Sequence, residues 1–506
     1  MSGIVAAHGP FDPRLGMRML ERIAHRGPDG AGTRRVGDAW LGHRRLAIVD
    51  PAGGAQPLAS ARAGLWIVGD GEISNHERLR ADLGEDRFRT RSDHEAALVL
   101  YDDLGTDAFA RLWGTFALVI AGDDGRFVAT RDVLGIAPLY LAERDGTAVF
   151  ASELKAFDVE WRPHARPLPA GSAWTPGEGP RPWSHGPAAT PVLLRGRGPH
   201  EDPPAWVFDA VRDALTRAVE RSLAVDVPVG AFLSGGLDSS LVTAVAARIA
   251  RREGWTLRTF VAGLPGSPDL AAARRVADHL ATEHHERVFT LEEAIASVPE
   301  VIFMLESFEP SLVHSAVPNH LVAGLAREHV KVVLIGEGAD ELFAGYSHYG
   351  EIASGEDLHA ALVETIGGMH KLGLQRVDRV AGVSGLEPRI PFLDLDLVEL
   401  ALALPPEWKL TTRERPAKWL LRRAFDGWLP DDLLWRPKEQ FGEGTGMNEV
   451  LMEHFGARVS DAELARERDV VDPPLRTREE LVFYRILAER LPGIAAGDTV
   501  GRFVEA

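Results

Sequence analysis

The sequence predicts an α/β chain of two unlike parts. One is a mostly β N-terminal unit; the other is a doubly wound parallel sheet that ends in a helical stretch. Three observations carry this. The 506 residues exceed what a single core usually organises, so two or more domains are expected. Strand-like runs dominate the first 190 residues. Beyond residue 206, strands and helices alternate, the order that builds a parallel sheet with helices on both faces.

In chain order, short apolar runs at Ser2–Ala6, Leu46–Val49, Leu65–Val68, Phe116–Ile120 and Ala148–Ala151 read as strands, separated by Gly, Asp and Pro clusters. Helices are expected near 12–24, 93–104 and 106–112. A Pro/Gly-rich passage from Pro163 to Pro204 marks the junction, giving units of 1–190 and 203–506. Val207, Val211, Leu215, Ala218 and Val219 then fall on one helical face. Strands follow at 227–233, 257–263, 284–290 and 331–335. Helices follow at about 239–252, 269–280, 292–304 and 315–328. From about 357 onward the chain reads as mainly helical, with polar connections near 412–418 and 436–447.

A net charge of −18 argues against nucleic-acid and anionic-membrane partners. No apolar run approaches the 18 residues needed to cross a bilayer. No basic-then-apolar leader opens the chain, so a cytoplasmic location is expected. The absence of cysteine excludes disulfides, thiolate metal sites and a thiol nucleophile.

The chemistry centres on Leu233-Ser234-Gly235-Gly236-Leu237-Asp238-Ser239-Ser240, a strand running through a Gly-rich turn into a helix. Two glycines let backbone N–H groups converge, and the helix start adds partial positive charge. That is an anion site, and the Ser234, Ser239 and Ser240 hydroxyls suit phosphate oxygens. Asp238 inside it makes sense as a Mg²⁺ ligand. No Gly-Lys-Ser/Thr follows, so the turn is not a Walker loop. Glu337 also follows a strand directly, which places it in the same crevice.

Further motifs converge. The first unit carries His25-Arg26-Gly27-Pro28-Asp29-Gly30, Gly71-Glu72-Ile73-Ser74-Asn75 and Ser152-Glu153-Leu154-Lys155. The second carries Gly336-Glu337-Gly338-Ala339-Asp340-Glu341, Arg389-Ile390-Pro391-Phe392-Leu393-Asp394 and Lys438-Glu439-Gln440-Phe441. Together they resemble the glutamine-dependent asparagine synthetase family over nearly the whole chain. The resemblance implies a glutaminase-like αββα sandwich of the Ntn type, followed by an ATP-pyrophosphatase-type synthetase domain. It further implies ATP and Mg²⁺ as cofactors, and a carboxylic acid that is adenylated before a nitrogen nucleophile displaces AMP. Carried over by motif, Asp238 and Asp340 hold Mg²⁺, and Ser234 to Ser240 cradle pyrophosphate. Leu233 and Gly336 lie near the nucleoside. Glu337 sits at the amine attack site, and Lys438 neutralises the leaving phosphates. Family members often form homodimers.

The chain departs from this pattern in two places. Glutamine-hydrolysing members expose an N-terminal cysteine; here the second residue is Ser2. An activated hydroxyl can still serve as nucleophile. The family's Asn-Gly-Glu, whose Asn donates to the oxyanion, reads Asp70-Gly71-Glu72. Losing one such donor raises the barrier by about 3 kcal/mol. A carboxylate beside the developing charge adds repulsion of about 4 kcal/mol at ~4 Å and an effective dielectric of ~20. Arg45 and Asp93, which hold glutamine in the family, remain. The expectation is a degenerate glutaminase site, as in the β-lactam-forming relatives.

The acyl pocket differs too. Ser311-Leu312-Val313-His314 stands where asparagine-making bacterial members carry Thr-Thr-Ile-Arg, and Gly382 lies in a run of small residues. Leu312, His314 and Gly382 therefore suggest an acid other than aspartate, of specialised metabolism, joined to ammonia or a small amine. The alternatives are an asparagine synthetase using ammonia or a slow Ser2 glutaminase, and a catalytically silent regulatory protein.

Overall fold

A computed structural model describes residues 1–61, 64–184, 186, 202–436 and 447–503. Its N-terminal part holds two six-stranded antiparallel sheets. The strands are β1 (Gly3–His8), β2 (Gly30–Val36), β3 (Ala39–Arg45), β4 (Leu58–Ala59), β5 (Leu65–Ile73) and β6 (Gly114–Gly122), then β7 (Phe127–Arg131), β8 (Tyr140–Arg144), β9 (Thr147–Ala151), β10 (Ala165–Pro167), β11 (Ser172–Thr175) and β12 (Gly179–Pro182). One sheet runs β10-β8-β9-β1-β3-β2, the other β12-β11-β7-β6-β5-β4.

Alternation along the strands explains the four layers. Ile4 and Ala6 of β1 join Ala117, Val119 and Ala121 of β6 in the core between the sheets. Val5 and Ala7 face the other way, into a core shared with Met19 and Leu20 of helix α1 (Pro13–Arg22). Phe116, Leu118 and Ile120 pack with Ala97, Leu98 and Tyr101 of α2 (Asp93–Leu104). Strands covered on both faces read as nearly continuous apolar runs, which is why they stand out in the sequence.

Leu46–Val49 is not a strand. The preceding residues form β3 instead, and the run that follows has its backbone held by side chains. Leu46 N–H donates to Ser2 Oγ at 3.2 Å and Ala47 N–H to Asp29 Oδ2 at 2.8 Å. Leu46 and Ile48 pack on Val332 of the C-terminal half. The apolar signal is therefore an interface rather than a strand. The stretch near 106–112 is a 3₁₀ helix, Gly105–Arg111.

The C-terminal half is built on a fully parallel sheet of β13 (Val229–Phe232), β14 (Arg258–Gly263), β15 (Glu283–Val288), β16 (Val332–Leu334) and β17 (Glu387–Arg389). Its order is β15-β14-β13-β16-β17, so the winding reverses between β13 and β16. Ligands bind at such a reversal, beyond the carboxyl ends of the strands. The helices that matter are α3 (Leu237–Arg252), α4 (Pro268–Leu280), α5 (Pro310–Ala326), α6 (Gly373–Val383), α7 (Trp419–Ala424) and α8 (Arg478–Arg490).

The halves meet through buried charge. Arg26, fully buried, donates from Nη1 to Glu153 and Asp378 and from Nη2 to Asp378, each at 2.8 Å. Arg379 reaches Asp378 at 2.5 Å and Glu306 at 3.0 Å. Lys155 Nζ lies 2.6 Å from Glu153, while Glu306 accepts from the backbone N–H groups of Leu154 and Lys155. Buried ions need such partners, because taking an unpaired charge out of water costs several kcal/mol.

Candidate active site

The turns after β13 and β16 touch each other. Gly235 sits at φ +75°, in the left-handed region, and a Cβ there would lie 2.6 Å from Ala272 Cβ and from Ala273 N. The glycine is needed for both conformation and space. Ser234 Oγ lies 3.1 Å from Ser239 Oγ, and Gly236 N–H donates to Ser234 Oγ at 3.3 Å. Gly236 caps α3, which leaves the first N–H groups of that helix at the sheet's reversal. Across from it, a Cβ on Gly336 would lie 2.7 Å from Ser239 N and 3.0 Å from Asp238 Cβ. The second glycine lets the two turns close on each other. Ser240 is buried at 2 % exposure on α3, and Leu233 lies in the core at 1 %.

Among the described residues, Asp238 and Asp340 converge on Lys418. Lys418 Nζ is 2.5 Å from Asp238 Oδ2 and 2.8 Å from Asp340 Oδ1. Burial pulls the Lys418 ammonium down, but the two carboxylates outweigh it and hold its pKa up. A lysine standing between two carboxylates is the stand-in ion that tests a metal site. The two donors are hard and anionic and share one cationic partner, so their chemistry suits Mg²⁺. Among the described residues no group of three or more His, Cys, Asp or Glu side chains gathers to hold a metal unaided.

Glu337 pairs with Arg376 of α6, whose Nη1 also donates to Ser315 Oγ of α5 at 2.7 Å. A Cβ on Gly373 would sit 2.8 Å from Glu337 Oε1, so that glycine leaves room for the carboxylate. Beside it, Tyr346 Oη donates to Glu341 Oε1 at 2.5 Å. Burial, with Asp340 and Glu337 nearby, pushes the Glu341 carboxyl up to about 7. Tyr349 is a core residue whose hydroxyl donates to Thr365 at 2.7 Å.

In the N-terminal half, Ser2 and Asp70 both lean on Arg26. Arg26 Nε donates to Ser2 O at 2.6 Å and Nη2 to Asp70 Oδ2 at 2.9 Å. Asp70 is fully buried; burial raises its pKa, opposed by Arg26. The Met1 amine, also buried, donates to Leu386 O at 2.8 Å. Arg45 is held by the carbonyls of Asp50 at 2.7 Å and Pro51 at 2.8 Å. Asp93 accepts from Ile73 N–H at 2.9 Å and pairs with His94 at 3.1 Å. Gly71 lies at φ +94°, where a Cβ would meet Thr115 O at 2.0 Å.

Two family profiles divide this chain between them. The asparagine synthase profile matches residues 210–365 and 350–491, and the glutamine amidotransferase domain profile matches residues 1–166. The chain belongs to the asparagine synthase family. A glutamine-hydrolysing asparagine synthetase of Sandersonia aurantiaca is 37 % identical over 97 % of this chain and 96 % of its own. Asparagine synthetase 2 of Arabidopsis thaliana is 37 % identical over 99 % and 89 %. As a member, the chain is an ATP-dependent carbon–nitrogen ligase of the AMP- and pyrophosphate-forming kind.

Within this asparagine synthase fold the expected residues distribute unevenly. The crevice gathers Ser234, Gly235, Gly236, Asp238, Ser239, Gly336, Glu337 and Asp340. Lys438 lies outside the described residues. Leu312, His314 and Gly382 do not share a lining. Leu312 packs in the core, the His314 ring sits 2.7 Å from Glu479 of α8, and Gly382 lies against Arg26 between the halves. Helix geometry explains this, since residues two apart face different ways. Sequence reading missed Lys418 and Arg376. Lys418 lies in a polar connection without a motif, and Arg376 takes its meaning from Glu337, 39 residues away in the chain.

Proposed function

We propose that this asparagine synthase family member activates a carboxylic acid by adenylation and couples it to ammonia or a small amine not drawn from glutamine. The observation that carries the nitrogen assignment is the Asp70–Arg26 pair. A carboxylate occupies the place of an oxyanion donor, and its near oxygen is bonded to a guanidinium already shared with Glu153 and Asp378. Oxyanion stabilisation needs a preorganised donor aimed at the developing charge. Ser2 adds a weaker nucleophile than a thiol. Glutamine incubation with glutamate detection tests this: no release above background is expected. Robust release that Ser2→Ala abolishes defeats it.

In the crevice, the turn from Ser234 to Ser240 and the start of α3 bind and orient the triphosphate. Asp238 and Asp340 would hold Mg²⁺, which when bound neutralises charge on the phosphates. Glu337, a carboxylate at the crevice, takes the proton from the attacking amine. Lys438 is proposed to meet the leaving pyrophosphate.

The acid is read through Arg376. Its guanidinium, next to Glu337, is suited to a second carboxylate on the substrate. That favours a dicarboxylic acid, aspartate included, and supports asparagine formation with ammonia as the second reading. The altered run at Leu312 and His314, which suggests another acid, has one side chain in the core and the other on Glu479. A pyrophosphate-release screen across mono- and dicarboxylic acids, with product mass, separates the two. Absence of release with every acid returns the chain to the silent regulatory alternative.

A further inference from the structure

Lys418 is built into its position. It is 4 % exposed, and its backbone lies at φ +60°, a left-handed conformation that a long side chain rarely adopts. It caps the N-terminus of α7 there. Gly345 completes the arrangement: a Cβ at that position would lie 1.9 Å from Asp340 Oδ1 and 2.1 Å from Lys418 Cε. The chain thus has a strained backbone position and a bare glycine, and both hold one ammonium between Asp238 and Asp340.

We propose that Lys418 is a resident counter-cation that closes the Asp238–Asp340 pair to divalent metal until a nucleotide arrives. The inference rests on the reading of these carboxylates as Mg²⁺ ligands and goes beyond it to the order of binding. A divalent ion needs about six oxygen ligands, and two carboxylates leave most of them to be supplied by water or phosphate. An ammonium between the same two carboxylates repels an incoming dication and offers it no ligand. Phosphate oxygens change both conditions. They complete the metal's shell, and they give the ammonium another anion to face when it withdraws. Free metal is therefore excluded and metal–nucleotide is admitted. The device also neutralises two acidic side chains that would otherwise repel each other and the incoming triphosphate.

Mn²⁺ is the probe, read by electron paramagnetic resonance of the free ion on the full-length chain. The nucleotide is an ATP analogue with a methylene bridge between the α and β phosphates, which the enzyme cannot split. Wild type is expected to bind Mn²⁺ at least 10-fold more tightly with the analogue than the same protein binds it alone. Lys418→Met, an unbranched side chain of similar length without the charge, is expected to bind Mn²⁺ alone at least 10-fold more tightly than wild type. Adding Asp340→Asn to it should abolish that gain. Lys418→Gln serves as the second variant should the Met side chain prevent folding. Wild type binding Mn²⁺ alone as tightly as with the analogue overturns the gate while leaving the metal assignment standing. Folded wild type and variants that take up no Mn²⁺ even with the analogue overturn the metal assignment itself, and the gate with it. A lysine with a structural role only would lower thermal stability when replaced but would not create a site for free metal.

Discussion

At the scale of single residues, the crevice is a set of charges held in pairs. Glu337 is held by Arg376, and the pair has to part before the carboxylate can accept a proton. Glu337→Gln is therefore expected to leave acid-dependent pyrophosphate release within about tenfold of wild type while amide formation falls by about 10² to 10⁴. Parallel pyrophosphate and product assays check the split, and equal loss of both would assign Glu337 to nucleotide binding instead. Glu341 gives a pH signature. Its carboxyl is raised to about 7 by burial and by its acidic neighbours. A raised carboxyl means that the folded chain holds its proton more tightly than the unfolded chain. Its contribution is complete below the ordinary glutamate range near 4.5 and is lost as pH rises through 7. A carboxyl raised from 4.5 to about 7 corresponds to about 3 kcal/mol. Thermal midpoints measured from pH 5 to 8 should fall by a few degrees, and Glu341→Gln should flatten that slope.

At the scale of elements, two tight turns decide whether a nucleotide site exists. Gly235→Ala places a Cβ into Ala272 and Ala273 and forces a left-handed backbone on alanine. Nucleotide affinity, measured by calorimetry, should drop at least tenfold, with far-UV circular dichroism unchanged. Retained affinity would show that the turn bends by another route. These elements were the legible ones. A glycine pair between an apolar strand and a helix is a local signal, so the turn at 234–240, and with it Asp238, could be read without any fold. The inner parallel strands β13, β14 and β16 were legible because burial makes them apolar runs; β15 at the sheet edge is polar with no buried residue, and β17 was not legible, since its three residues, Glu387, Pro388 and Arg389, carry no apolar pattern. Leu46–Val49 misled for the converse reason. An apolar run looks the same whether it pairs with a strand or docks on Val332. Arg376 and Lys418 stayed hidden because their meaning comes from partners 39 and 180 residues away, Glu337 and Asp238. Tertiary proximity of that kind leaves no spacing to read. His314 attracted attention for its residue type, yet its neighbour Ser315 is the side chain that faces Arg376.

At the scale of the whole molecule, the N-terminal half explains itself even without glutamine chemistry. One hydrophobic cluster runs through the boundary, joining Val5, Met19, Tyr140 and Phe157 to Phe308, Leu312 and Leu487. Threaded through the same boundary are Arg26, Lys155, Asp378, Arg379 and Glu306. Parting the halves would leave Asp378 and Glu306 without Arg26 and Lys155, and Arg26 without Asp378. Breaking one buried pair by removing a partner costs about 3 to 5 kcal/mol, and a folded domain is stable by only about 5 to 15. Two such losses, even with Arg379 still beside Asp378 and Glu306, together with an exposed apolar seam, are comparable with the whole stability of the C-terminal half. A chain starting at residue 202 is therefore expected to aggregate, or to melt at least 10 °C below the intact protein. Co-expression with residues 1–186 should restore a soluble complex that releases pyrophosphate. Size-exclusion chromatography and thermal melting decide it. A monodisperse C-terminal fragment with the intact protein's midpoint and full pyrophosphate release would mean that the boundary carries no stability. Retention of the sandwich would then need a chemical reason, and Ser2 would be the first place to look.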